Sequence, residues 1–112
     1  MKRLTVFVVA TGLAGLALCA GCVPNRALTE SEFRGFCYNA GGLSQPDCDT
    51  ISLCNEYLPV FNQPQGSLRE CRAECQRIYA GQSRRHILTQ CLRSAAYARA
   101  WCQRYCRGAY QQ

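Results

Sequence analysis

Residues 67–108 read SLRECRAECQRIYAGQSRRHILTQCLRSAAYARAWCQRYCRG. Ser67-Leu68-Arg69-Glu70 is a capping box, with a serine hydroxyl for an early backbone donor and a glutamate able to reach back. It opens a predicted helix running to Ala80, and Gly81 is a suitable terminator. Ser83 then starts the longest helical run, ending at Gly108. Leu68, Cys71, Cys75 and Ile78 keep a helical period in the first run. Leu88, Cys91, Ala95, Ala98, Cys102 and Cys106 keep it in the second. At 100° per residue Cys91, Cys102 and Cys106 fall within an arc of about 60°. No stretch alternates with period two for long, so strands are not expected. The fold class is all-α, ending in a helical hairpin.

Upstream, Thr29-Glu30-Ser31-Glu32 is another capping box, and a helix over about 30–40 follows with Phe33, Phe36 and Cys37. Gly35 weakens it by about 1 kcal/mol relative to alanine, and Gly41-Gly42 stops it. Ser44 to Cys48 is a loop around Pro46. Asp47 or Asp49 caps a short second helix through Tyr57, ending before Pro59. Residues 59–66, with Pro59, Pro64 and Gly66, form a turn-rich connection. About four helices result.

The chain has 112 residues and 10 cysteines. That length limits it to one small domain. With Cys19 and Cys22 assigned to the N-terminal signal, eight cysteines remain: Cys37, Cys48, Cys54, Cys71, Cys75, Cys91, Cys102 and Cys106. An even set in an exported chain implies four disulfides, and a core this small needs them. Eight cysteines allow 105 connectivities. A tight turn at Gly81 places Cys71 opposite Cys91, each ten positions away, and leaves Cys102 and Cys106 to staple the first two helices. This is the preferred pairing. The alternative uses the spacings Cys71-x3-Cys75 and Cys102-x3-Cys106 as nested antiparallel bridges, Cys71–Cys106 and Cys75–Cys102. Such twin Cys-x3-Cys helices resemble small mitochondrial intermembrane-space chaperones, although here 26 residues with a further cysteine separate the two pairs. Metal is not expected: the eight domain cysteines contain no Cys-x2-Cys, and His86 is the one histidine. No cofactor motif is visible.

The N-terminus reads as a targeting signal. Met1-Lys2-Arg3 is basic, and Leu4 to Leu18 is an uncharged, mostly apolar run of 15 residues. This is shorter than the ~20 residues of a spanning helix. Cys19-Ala20-Gly21-Cys22 resembles the bacterial lipobox, in which a small pair and a cysteine follow an aliphatic residue. Ala20, Gly21 and Cys22 match; Cys19 stands where that motif prefers leucine. The resemblance covers residues 1–22 only and implies a lipoprotein in which Cys22 is acylated and becomes the first mature residue. It divides the chain into a signal (1–21), a lipid-anchored tether (22–28) and a cysteine-rich helical domain (29–112). The residue after Cys22 is Val23, not the aspartate that commonly retains lipoproteins at the inner membrane. The expectation is therefore the bacterial outer membrane, facing the periplasm. Cleavage after Ala20 instead would release a soluble periplasmic or secreted protein.

Beyond Cys22 every basic residue is arginine. Residues 23–75 hold 4 arginines and 7 acids; residues 76–112 hold 7 arginines and no acid. On the last helix Arg93, Tyr97 and Arg104 share an arc of about 40° opposite the cysteine face, flanked by Trp101. Arginine with aromatic rings suits an anionic lipid or glycan. Packing against the acidic helices, with Glu30, Glu32, Asp47, Asp49 and Glu56, is the competing use of this charge. No nucleic-acid motif is present. Catalysis is not expected: Ser83 beside His86 serves as a helix cap, and Glu70 and Glu74 lie among Arg69, Arg72 and Arg77 as surface pairs. The expected function is a non-enzymatic cell-envelope lipoprotein with a structural or interaction role.

Overall fold

A computed structural model describes residues 26–39 and 48–110. The signal, Cys22 and the start of the tether lie outside the described residues. Among the described residues five helices make an all-α domain: α1 (Glu30–Tyr38), α2 (Thr50–Asn55), α3 (Leu58–Asn62), α4 (Leu68–Arg85) and α5 (Cys91–Tyr110). The described residues contain no strand. None of their helices is long and apolar enough to cross a membrane.

The caps largely follow the sequence. Thr29 Oγ1 accepts from Glu32 N at 3.2 Å, and Thr29 N donates to Glu32 Oε2 at 2.8 Å. Asp49 caps α2, its carboxylate accepting from Ser52 N at 3.0 Å and Ser52 Oγ at 2.6 Å. Ser67 Oγ accepts from Glu70 N at 3.1 Å. The reciprocal bond from Glu70 does not form; its carboxylate instead lies over Gly66, in the space a Cβ there would fill.

Two boundaries differ from expectation. Pro59 does not stop a helix; it sits in the first turn of α3, where its missing N–H has no intrahelical partner to lose. The connection shrinks to residues 63–67. Gly81 does not stop α4 either. The helix runs on to Arg85, and the turn spans residues 86–90. Gly81 has ordinary helical geometry, and a Cβ there would meet only Arg85 Nη1 at 3.7 Å. Gly81→Ala is therefore expected to raise stability by about 0.5–1 kcal/mol, by removing the entropic penalty of an interior helical glycine. Denaturant titration checks it.

That shift of the turn decides the disulfides. The bridges are Cys37–Cys54, Cys48–Cys91, Cys71–Cys106 and Cys75–Cys102. The last two are nested antiparallel bridges between α4 and α5, each pair centred between Leu88 and Thr89. The preferred Cys71–Cys91 pairing is thus wrong, because it placed the turn at Gly81. Cys102 and Cys106 stay within the hairpin, and Cys91 takes the stapling role. Among the described residues, seven of the fourteen buried apolar ones are half-cystines, so here the bridges constitute much of the core.

α4 packs along α5; α1 crosses both α2 and α5, and α3 leans on α4. Phe33, Leu53, Tyr57 and Val60 fill the space between the small helices and the hairpin. Ala95 and Ala98 keep the facing side of α5 low. At the other end of α5, Gly108 passes beneath the incoming chain. A Cβ there would lie 2.6 Å from Ala27 Cα and 2.9 Å from Arg26 O, so only glycine lets the two backbones meet.

The incoming chain is also held electrostatically to α1. Arg26 pairs with Glu32, the guanidinium Nη2 standing 2.5 Å from the carboxylate. Arg26 and the Thr29 backbone N–H together lower the Glu32 pKa to about 2. A group depressed in the folded state stabilises above its unfolded pKa and loses that contribution as the pH falls through the folded one. Glu32 thus supports the fold above pH 4.5 and ceases to as the pH approaches 2. Glu32→Gln is expected to flatten the acid side of the stability–pH curve over that window.

Candidate functional site

Trp101 on α5 is the centre of an exposed aromatic cluster. Phe36 of α1 stacks on it with centroids 4.1 Å apart and planes 3° from parallel. Tyr97 meets its edge at 6.1 Å, and the Arg104 guanidinium lies 5.1 Å from its centroid. Phe36 is placed by its helix. Phe33, one turn earlier, is buried against Phe61 and Tyr57, and the adjacent Cys37 is bridged to Cys54. Phe61 in turn packs on Tyr105 at 4.2 Å. An inner aromatic row therefore fixes an outer one. Phe36 is 44% exposed and Tyr97 42%, so the outer rings face solvent despite their contacts.

Tyr97, Ala100, Trp101, Arg104 and Arg107 line a shallow cleft of about 280 Å³. Three of the four residues expected to share a face, Tyr97, Trp101 and Arg104, therefore meet. Arg93 points elsewhere. It lines a second shallow cleft with Tyr79, Leu92 and Ala96, nearer the hairpin turn. Phe36 and Arg107 complete the first site. Phe36 could not be placed there while the α1–α5 crossing was unknown, whereas Arg107 stands one turn beyond Arg104 and was legible.

The acidic half of the chain neutralises little of this surface. Glu30 pairs with Arg34 and Glu32 with Arg26, both local. Glu74 pairs with Arg77, which holds its carboxyl below the usual range. Glu56–Arg85 alone among these pairs joins the small helices to the hairpin. Among the described residues, Arg93, Arg99, Arg104 and Arg107 meet no carboxylate. Arg99 donates to Gln76 and covers the Tyr79 ring, 4.0 Å from its centroid.

The other candidates have structural positions. Ser83 lies inside α4 and donates to Tyr79 O at 2.9 Å, so it caps nothing. His86 is the C-cap of α4. The sulfurs of Cys75, Cys102 and Cys106 come within 4.8 Å of one another. They belong to two adjacent disulfides, 3.6 Å apart at Cys75 and Cys106, and so present no thiolate to a metal.

One buried polar group was not anticipated. Gln82, fully buried on α4, donates to Leu53 O at 2.8 Å and accepts from Tyr57 Oη at 3.1 Å. Tyr57 Oη also lies 3.4 Å from Ala95 O. Burial pushes the Tyr57 phenol well above its ordinary pKa, so it serves as a neutral donor. Gln82 continues the stripe Cys71, Cys75, Ile78, and that spacing was the available signal.

Compared with known proteins, the chain matches no family model, no curated protein and no solved structure.

Proposed function

We propose that this is a non-enzymatic bacterial cell-envelope lipoprotein, anchored through acylated Cys22, whose domain is a rigid interaction module. The observation that carries the interaction role is the Phe36–Trp101 stack, flanked by Tyr97 and Arg104, on a scaffold clamped by four disulfides. Tryptophan, tyrosine and arginine are the residue types that concentrate binding energy at interfaces. Rings already ordered by stacking lose little freedom when a partner covers them. The signal-like N-terminus and the lipobox resemblance support the location. Arg26 follows Cys22 by four positions, a reach of at most about 14 Å. An acyl anchor at Cys22 would therefore hold the Gly108 end of α5 close to the bilayer. Several acyl chains on one cysteine would give stable attachment.

A photo-crosslinking residue at Tyr97, in the native host, tests the surface. A discrete protein adduct, lost when Trp101→Ala is added, is the expected result; no adduct, or one indifferent to Trp101, contradicts it. The arginine pair Arg104 and Arg107 beside the stack favours one alternative, an anionic glycan or lipid headgroup. That reading requires binding that weakens with salt and falls in Arg104→Gln. Undiminished, salt-independent binding sinks it.

A further inference from the structure

A second surface lies at the opposite end of α5, and the argument for it does not depend on Cys22. Ile87 and Leu88 occupy the hairpin turn with 70% and 95% of their surface exposed. The turn around them is well tied. Thr89 N donates to His86 O at 2.9 Å, Cys91 N to Thr89 Oγ1 at 3.3 Å, and the Cys48–Cys91 bridge stands directly behind. Two large aliphatic side chains are thus held outward on a firm base.

Their surroundings are apolar and cationic. The cleft lined by Tyr79, Leu92 and Ala96 lies beside the turn, with a volume of about 470 Å³ and Arg93 on its rim. Arg84, in the last turn of α4, and Arg93, in the first of α5, are both exposed. Arg85 is paired with Glu56. No acidic residue occurs after Glu74 in the sequence. Paired aliphatics at a tip, with arginines a turn behind on each arm, match the layering of an anionic bilayer. Acyl chains meet the tip and phosphates meet the guanidinium groups. A glycan or a soluble acidic protein would use the arginines and leave Leu88 in water.

We infer that the 86–90 turn is a membrane-docking tip, inserting Ile87 and Leu88 into an anionic lipid surface while Arg84 and Arg93 engage headgroup phosphates. The Gly108 end and the tip are separated by 17 residues of helix, about 25 Å. With Cys22 acylated as proposed above, the hairpin would meet a bilayer either by lying along it or by reaching a facing one.

The test places Leu88→Trp in a Trp101→Phe background, so that the single tryptophan reports the tip. The whole chain is reconstituted with excess vesicles of brominated phosphatidylglycerol, so that insertion into its own or a facing bilayer reads alike. Far-UV circular dichroism confirms the fold. Blue-shifted, strongly quenched emission is expected, with little quenching in brominated phosphatidylcholine. Arg84→Gln with Arg93→Gln should lower the inserted-to-free ratio about thirtyfold, at roughly fivefold per charge. Unquenched, water-exposed emission overturns the proposal. So does equal quenching in both lipids with no effect of the arginines. Blue-shifted emission without quenching also overturns it and assigns the tip to a second copy of the chain.

Discussion

Replacing Cys48 and Cys91 together by alanine is expected to lower stability by about 4 kcal/mol, the loop-entropy value for a closure of 43 residues. The position of this bridge matters as much as its loop. Cys37–Cys54 ties α1 to α2, while Cys71–Cys106 and Cys75–Cys102 both lie within the hairpin. Among the described residues, Cys48–Cys91 is the one disulfide between these two units. Without it, docking of the small helices rests on noncovalent contacts around Phe33, Tyr57 and Gln82. The nested pair gives a contrast. With Cys71–Cys106 intact, Cys75–Cys102 closes only a small residual ring, so removing it should cost roughly 2–3 kcal/mol. Guanidinium unfolding without reductant measures both. A loss under 1 kcal/mol for the Cys48/Cys91 variant would refute the division into two units.

Gln82→Leu should cost about 2–5 kcal/mol despite the similar side-chain volume. The substitution leaves Leu53 O without its 2.8 Å donor, and it deprives Tyr57 Oη of its closer acceptor. Each buried group so stranded costs about 1–3 kcal/mol. Adding Tyr57→Phe removes one of the two orphans, so the double variant should be less destabilised than additivity predicts. Equilibrium unfolding of the two single variants and the double completes the cycle. An additive result would mean that the three groups do not act as one network.

The sequence and the structure agree where local chemistry decides. Thr29 with Glu32, and Asp49 with Ser52, are contacts between residues three apart, so their side chains alone announce the helix starts. The cysteine count alone implied four bridges. Pairing was another matter, because it depends on where one turn falls. Gly81 carried a stop signal that the helix overrides, since glycine costs only about 1 kcal/mol in a helix interior. The bridged, buried face of α4 holds the chain helical through it. Moving the turn from Gly81 to residues 86–90 exchanges Cys71–Cys91 for Cys71–Cys106 and frees Cys91 for Cys48. It also puts Ile87 and Leu88 at a tip.

The candidate surface was half legible for a related reason. Tyr97, Trp101 and Arg104 share one helix, so their proximity follows from its period. Phe36 comes from α1, and its stack on Trp101 depends on a crossing set by Cys37–Cys54, the Phe33 row and the Gly108–Ala27 approach. No local pattern encodes that crossing. Arg93 failed to join because a shared arc on a helix does not mean a shared neighbour.

The most direct test is the intact mass of the protein from its native host, alkylated without reduction. An acylated chain beginning at Cys22, with no alkylated thiol among the eight domain cysteines, is the expected result. A chain lacking acyl groups would contradict the anchored envelope role, and alkylation of any domain cysteine would contradict the four-bridge scaffold.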